Sequence, residues 1–148
     1  MPLLAEVKSD WSPPNPAFMV GIANLASAYS GPLGLMSFDP IVMAEMRRLA
    51  PGVPRGLVTG PYRDPDGRPW YPDELTDARR AALANLEDST LADPYFYAYD
   101  VRALPSPVAH RIRTDLGLPL FTWTVRTERD RRMAAAHADA PIFEDAFP

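Results

Sequence analysis

Short apolar runs alternate with amphipathic segments along the whole chain. The apolar runs are LLAEV, LGLMSF, RGLVT, PYFYAYDV, LPLFTWTV and APIFE, and they have the length of buried strands. The segments between them place apolar residues three and four positions apart, which predicts helices. The pattern therefore predicts six strands and five helices in alternation. Such an order, with short connections, is typical of right-handed βαβ units and a parallel sheet.

Capping residues mark where four of the predicted helices begin. Three of them are followed by proline, which suits the first turn of a helix; the four caps are Asn15, Asp39, Thr76 and Ser106. In the first helix, Phe18, Ile22, Leu25 and Tyr29 recur at spacings of four, three and four. This spacing predicts one apolar helix face.

Composition and charge limit the classes of protein to which this chain could belong. The chain has 148 residues, which predicts a single domain over residues 1–148. The net charge of −4 gives no electrostatic reason to expect a nucleic-acid partner. There is no cysteine, no apolar run long enough for a membrane span and no signal-peptide pattern. We therefore expect a soluble, cytoplasmic protein.

A doubly wound open sheet and part of a (β/α)8 barrel both fit the alternation. No glycine-rich phosphate loop follows the first strand, where the sequence reads SDWSPPNP. This absence argues against a dinucleotide-binding fold. In both folds, ligands bind at the carboxyl ends of the strands. Residues at those predicted ends are Glu6, Lys8, Ser37, Phe38, Thr59, Tyr99, Asp100, Trp123, Thr124 and Glu144.

Glu6 and Lys8 are the most informative of these residues. Strand side chains alternate between faces, so a carboxylate and an ammonium two positions apart point the same way. Glu6 could supply an oxygen ligand to Mg²⁺ or Ca²⁺, and Lys8 a point charge for a phosphate. The other interpretation is a solvated ion pair with no ligand, and the pattern by itself favours that one. The histidines, His110 and His137, fall on predicted helices and have the positions of structural or surface residues.

An ordered set of segments resembles the glycerophosphodiester phosphodiesterase family. These segments are LLAEVK, LMSFDPIVMAEMRRLAPGVPRGLVT, LFTWTVRT and PIFEDAFP, in order across nearly the whole chain. The resemblance implies a partial TIM (β/α)8 barrel of about six βα units. It also implies metal-dependent hydrolysis of glycerophosphodiesters to an alcohol and glycerol phosphate, with a divalent metal as cofactor. By resemblance, Glu6 is a metal ligand, Lys8 contacts the phosphate and Trp123 lines the substrate pocket.

The chain also departs from that family. Arg126 stands where the family usually has asparagine, and Glu144 stands near the place of its Thr-Asp. Nothing matches the family's His-Arg-Gly strand or its second histidine, so the chain is expected to begin at the third barrel strand and to hold no catalytic residue. We therefore expect an isolated chain without activity, lacking an N-terminal segment or forming a homo-oligomer through open strand edges. Two alternatives are a non-catalytic degenerate barrel that binds phosphate esters or a partner chain, and an unrelated open α/β sheet.

Overall fold

A computed structural model describes residues 1–144 of the chain. Within this range lie six strands: β1 Leu3–Glu6, β2 Leu33–Ser37, β3 Arg55–Thr59, β4 Phe96–Asp100, β5 Leu120–Trp123 and β6 Ala140–Pro141. The helices of the same range are α1 Pro16–Ala28, α2 Pro40–Leu49, α3 Asp77–Ala84, α4 Ser89–Ala92, α5 Pro107–Thr114 and α6 Glu128–His137, with a 3-10 turn at Val101–Ala103. In this part of the chain, no helix combines the length and apolar content needed to cross a membrane.

The strand order decides between the two predicted architectures. All neighbouring strands are parallel, and their spatial order, β1-β2-β3-β4-β5-β6, is the order along the chain. A doubly wound sheet needs a point where the strand order reverses. Here right-handed crossovers repeat in one direction, so the helices lie on one side and the sheet curls into a partial TIM barrel. This confirms the predicted fold class and excludes the open doubly wound sheet.

Alternate side chains of each strand point into the partial barrel or out toward the helices. The inward set forms a small apolar cluster built on Met36, Val58, Phe96 and Ala98. The outward set, which includes Leu35, Leu57 and Leu120, joins the helices in the largest core. Because the period of a strand is two, Glu6 and Lys8 share the inward direction of Leu4.

The predicted helix starts are confirmed by hydrogen bonds. Asn15, Asp39, Thr76 and Ser106 each accept a backbone N–H from the first turn of the helix that follows. These bonds satisfy donors that the helix itself leaves unpaired. Helices α2, α5 and α6 begin soon after the strands that precede them, whereas longer loops separate α1 from β1 and α3 from β3.

Two helix predictions were wrong in detail. The predicted apolar face of α1 is not its buried face, since the side chains of Phe18 and Leu25 are exposed, while Met19, Ala23 and Ala26 are buried against the sheet and α2. The predicted helix that begins after Thr76 is interrupted, because it ends at Ala84 and is followed by the separate short helix α4. Leu86, at φ +63°, lies in the left-handed region between the two, which interrupts the helix.

The two outer strands of the described sheet are β1 and β6. At the β1 edge, Leu3 and Leu4 remain about 40% exposed although both belong to an apolar strand. Beyond β6, Phe143 lies beside Ala134, Ala135 and Val125 on the helical side. Phe143 therefore points away from the interior of the partial barrel, and Ile142 takes the inward position.

Candidate functional site

A cleft of about 580 Å³ opens at the carboxyl ends of the strands, inside the curl of the sheet. The side chains around it combine aromatic rings with charged groups; its lining includes Glu6, Lys8, Phe38, Trp70, Tyr71, Arg102, Trp123, Arg126 and Glu144. The three site residues predicted from the sequence, Glu6, Lys8 and Trp123, all line this one cleft. Polar groups that converge on an apolar cleft are the usual mark of a ligand site.

Glu6 and Lys8 form an ion pair on the wall of the cleft. The ammonium Nζ of Lys8 donates to Oε1 of Glu6 at 2.7 Å, with the Lys8 side chain 80% exposed and the Glu6 side chain 23% exposed. An exposed pair of this kind contributes at most about 1 kcal/mol to stability. Either partner can therefore exchange the other for a ligand at low cost.

Trp123 is held as a wall of the cleft by a hydrogen bond from its indole to the neighbouring strand and by contacts with other aromatic rings. Its indole Nε1 donates to the carbonyl oxygen of Ala98 on the adjacent strand at 3.0 Å. Its ring centroid lies 5.4 Å from that of Phe38 and 5.7 Å from that of Trp70. Contacts of this geometry add to the stability of aromatic clusters, so the ring presents a fixed apolar surface to the cleft.

Trp70 and Tyr71 are cleft residues that sequence reasoning missed. They belong to the loop GPYRDPDGRPWYPDEL after β3, which the sequence pattern marks only as a loop rich in turn residues. Burial raises the pKa of the Tyr71 hydroxyl, and the negative charges of Glu6 and Glu74 add to the increase. An aromatic pair in a loop at the carboxyl end of a parallel strand was the available signal, since such loops commonly carry binding residues.

Backbone strain is concentrated in the same aromatic group. Trp11, Tyr62 and Tyr71 have φ values of +64°, +53° and +52°, in the left-handed region. For bulky residues this conformation is unusual and persists only where surrounding contacts impose it. Trp11 indeed packs edge-on against both tyrosines, at 6.5 Å from Tyr62 and 5.1 Å from Tyr71.

Two arginines bring further positive charge to the cleft. Arg102 forms a forked pair with the carboxylate of Asp100, which is only 1% exposed at the end of β4. The hydrogen bonds that Arg102 donates to Asp100, together with the charge of that carboxylate, raise the pKa of Arg102, so the guanidinium stays protonated. Arg126 pairs with Glu144 at 2.5 Å. The cleft therefore holds three cations, each with a carboxylate partner.

Thr124, another residue at a predicted strand end, also lines the cleft. Ser37, Thr59 and the two histidines lie elsewhere. Ser37 and Thr59 are buried and point outward from the barrel, and Ser37 accepts the backbone N–H of Asp39 at the start of α2. His110 and His137 line a larger groove of about 1080 Å³ on the outer surface along α5, outside the cleft. Their predicted positions on helices, far from the strand ends, are confirmed.

The described residues do not form a metal site by themselves. Across residues 1–144, no three histidine, aspartate or glutamate side chains are grouped so that they could hold a metal ion. Glu6 is one carboxylate, and its nearest charged neighbour is the ammonium of Lys8. A divalent cation bound at Glu6 would need further oxygen ligands from outside this range.

Comparison with solved structures identifies the fold. A protein from Silicibacter pomeroyi, assigned as a glycerophosphoryl diester phosphodiesterase, matches 96% of this chain with a TM-score of 0.65 and 24% identity. A protein from Galdieria sulphuraria, assigned as a glycerophosphodiester phosphodiesterase, matches 97% with the same TM-score and 16% identity. The glycerophosphodiester phosphodiesterase of Thermotoga maritima matches 93%, with a TM-score of 0.58 and 15% identity. This chain has the fold of part of a glycerophosphodiester phosphodiesterase.

The likeness covers only part of each solved protein. The chain spans 46%, 53% and 52% of those three chains, that is, about half of their length. No protein-family model matches the sequence, and no curated protein does. The shared property is thus the partial (β/α)8 architecture that places the cleft at the carboxyl ends of its strands.

Proposed function

We propose that this chain supplies part of the active site of a glycerophosphodiester phosphodiesterase, with Lys8 and Trp123 as substrate contacts and Glu6 as one metal ligand. The observation that carries the proposal is the arrangement of the cleft. An ammonium, a carboxylate and an indole converge at the carboxyl ends of parallel strands, in a fold shared with solved glycerophosphodiester phosphodiesterases.

Each residue has a role that suits its chemistry. Lys8 would donate to a non-bridging oxygen of the phosphate, because an exposed ammonium is a compact point charge. Trp123 and Trp70 would pack against the carbon atoms of the glycerol or of the leaving alcohol. Glu6 would bind Mg²⁺ or Ca²⁺ together with ligands from other polypeptide, and the metal would supply charge stabilisation at the phosphate.

The described residues leave one chemical requirement unmet. Cleavage of a phosphodiester needs a group that protonates the leaving alkoxide. Within residues 1–144, neither histidine lines the cleft, and the carboxylates that line it, Glu6 and Glu144, are each paired with a cation. We therefore infer that the chain by itself binds the ester without turning it over. Its place in lipid metabolism and its cytoplasmic location stay predictions from the sequence.

The same observation favours a second candidate function. A partial barrel without acid–base groups could bind phosphate esters, or a partner chain at the exposed β1 edge, without catalysis. The two functions differ in what the rest of a barrel would do. Joined to the missing βα units of a glycerophosphodiester phosphodiesterase, a catalytic chain would hydrolyse glycerophosphocholine, whereas a binding module would not.

Binding of sn-glycerol 3-phosphate tests the feature common to both. All three tryptophans, Trp11, Trp70 and Trp123, lie in the aromatic group around the cleft, so intrinsic fluorescence reports on ligands there. We expect a saturable change in fluorescence with sn-glycerol 3-phosphate and a weaker one with glycerol. An identical response to both compounds would refute a phosphate-ester site.

A further inference from the structure

The carboxylate of Asp64 joins two loops at the mouth of the cleft. Its Oδ1 accepts the indole N–H of Trp70 at 3.0 Å, and the same atom lies 3.2 Å from Nη1 of Arg102. Asp64 and Trp70 belong to the loop after β3, whereas Arg102 belongs to the 3-10 turn after β4. One carboxylate oxygen thus ties the position of an indole to a neighbouring strand.

Arg102 is itself held by the sheet. Its Nε lies 3.1 Å from Oδ1 of Asp100 and its Nη2 lies 2.8 Å from Oδ2, in a two-point contact. Asp100 is the last residue of β4 and is almost completely buried. A two-point contact between guanidinium and carboxylate fixes direction as well as distance. The Asp64 contact is therefore anchored, through Arg102, to the buried end of β4.

The indole of Trp70 is placed over a position without a side chain. A Cβ atom added to Gly60 would lie 2.8 Å from Cη2 of Trp70 and 3.1 Å from Cβ of Asp100, closer than such atoms pack. Because Gly60 has no side chain, the indole of Trp70 can pack directly against the end of β3. There it contacts Trp123 and Phe38 and closes one side of the cleft.

We propose that Asp64 is a positioning residue that holds Trp70 as one wall of the cleft. Its role in ligand affinity rests on the proposed function, but its effect on the Trp70 ring does not. The competing explanation is that aromatic packing against Phe38, Tyr62 and Trp123 suffices to hold the ring. The two explanations differ in what happens when only the carboxylate is changed.

Three variants of the full chain separate these explanations. Asp64→Ala removes both contacts, while Asp64→Asn retains an acceptor for the indole but loses the charge that faces Arg102. Asp66→Asn is the matched control, because Asp66 lies in the same loop, is exposed and pairs with Arg68 away from the cleft. Near-ultraviolet circular dichroism reports on the Trp70–Trp123 contact, and Trp70→Phe shows how much of the signal that contact contributes.

We expect Asp64→Ala to lose most of the signal that Trp70→Phe loses, and Asp64→Asn to lose less. Asp66→Asn should retain the wild-type spectrum. The melting temperature should change little, since the loop contributes few residues to the main core. Affinity for sn-glycerol 3-phosphate should fall about five- to tenfold in Asp64→Ala, the factor that one or two lost hydrogen bonds produce.

The outcomes distinguish this inference from the proposed function. A wild-type spectrum in Asp64→Ala would overturn the positioning role, whatever the ligand result. Loss of the signal in a chain that binds no sn-glycerol 3-phosphate would support the positioning role and refute the proposed ligand. An equal loss of signal and of melting temperature in Asp64→Ala and Asp66→Asn would also overturn it, because the effect would then belong to the loop as a whole.

Discussion

The ammonium nitrogen of Lys8 lies 2.7 Å from Oε1 of Glu6, on a wall of the cleft that also holds Trp123. The pair is exposed on the lysine side, so its net contribution to folding is small. Substitution of either residue should therefore change ligand binding without unfolding the chain. Variants of Glu6 and Lys8 therefore test ligand binding in the cleft directly.

We expect Lys8→Ala and Glu6→Gln to shift affinity for sn-glycerol 3-phosphate in opposite directions. Lys8→Ala removes a charged donor and should weaken binding about tenfold. Glu6→Gln removes a negative charge near the phosphate and frees the ammonium, so in metal-free buffer it should tighten binding about two- to fivefold. Titration calorimetry measures both. Glu45→Gln, which removes an exposed ion pair with Arg48 on α2, is the control. If both variants bind like wild type, Glu6 and Lys8 form a surface ion pair with no role in ligand binding.

The same pair should behave differently in a completed barrel. If the chain is joined to the further βα units of a (β/α)8 barrel, Glu6→Gln should weaken the dependence on Mg²⁺ or Ca²⁺, and Lys8→Ala should mainly raise KM for the phosphodiester. By itself, the purified chain with either metal should not hydrolyse glycerophosphocholine. A chromogenic phosphodiester gives a sensitive assay, and turnover near 1 s⁻¹ would show that residues within this chain perform the catalysis.

A glycine pair tests how closely the interior of the partial barrel is packed. A Cβ on Gly56 would lie 2.1 Å from Cε2 of Phe96, whose ring also contacts Phe121. Gly56→Ala should therefore lower the free energy of unfolding by about 1–3 kcal/mol. Gly21, in the middle of α1, has no atom within 4 Å of the added Cβ. Gly21→Ala should raise the same quantity by about 0.5–1 kcal/mol. Urea unfolding measures both, and equal midpoints would contradict the packing described here.

Asp139 should make stability depend on pH in the acid range. Its Oδ2 accepts the backbone N–H of Leu120 at 2.8 Å, and Arg113 pairs with its other oxygen. These contacts hold its pKa below the ordinary value of 3.8. Because the folded state favours the ionised form, the stabilisation is present above pH 3.8 and is lost as the pH falls through and below that value.

The variant Asp139→Asn should lower the melting temperature at pH 7. Below pH 4, its melting temperature should fall less steeply with decreasing pH than that of the wild type. Thermal melts at a series of pH values show both effects. Asp73→Asn, at an exposed loop carboxylate outside the strands, serves as the control and should leave the profile unchanged. A wild-type slope in Asp139→Asn would assign the acid dependence to other carboxylates.

The open edge at β1 should promote self-association of the isolated chain. Leu3 and Leu4 are about 40% exposed there, and an apolar strand at a sheet edge can pair with another chain. Sedimentation at micromolar concentration should show a mass that rises with concentration. Leu4→Lys should reduce the effect, because a lysine on an edge strand opposes pairing.

Leu91→Lys, at an exposed apolar position on α4, is the control for Leu4→Lys. It should leave the association unchanged. If the wild-type chain is a compact monomer with one sharp thermal transition, the β1 edge does not promote self-association and the expectation is wrong.

Local signals in the sequence were sufficient for the elements and for part of the cleft. Asn15, Asp39, Thr76 and Ser106 mark helix starts because a cap needs only its own helix. Alternation along β1 places Glu6 and Lys8 together, because the period of a strand is a property of the backbone.

Other features depend on packing between distant segments, and only the tertiary structure decided them. The alternation of strands and helices did not choose between an open sheet and a barrel, since both are built from the same βαβ units. The family resemblance implied the barrel, and the strand order excluded the open sheet. The apolar stripe of α1 did not predict its buried face, because burial depends on which neighbours are present. Trp70 and Arg102 belong to different segments and are joined at the cleft by the carboxylate of Asp64, and no local pattern encodes such a contact.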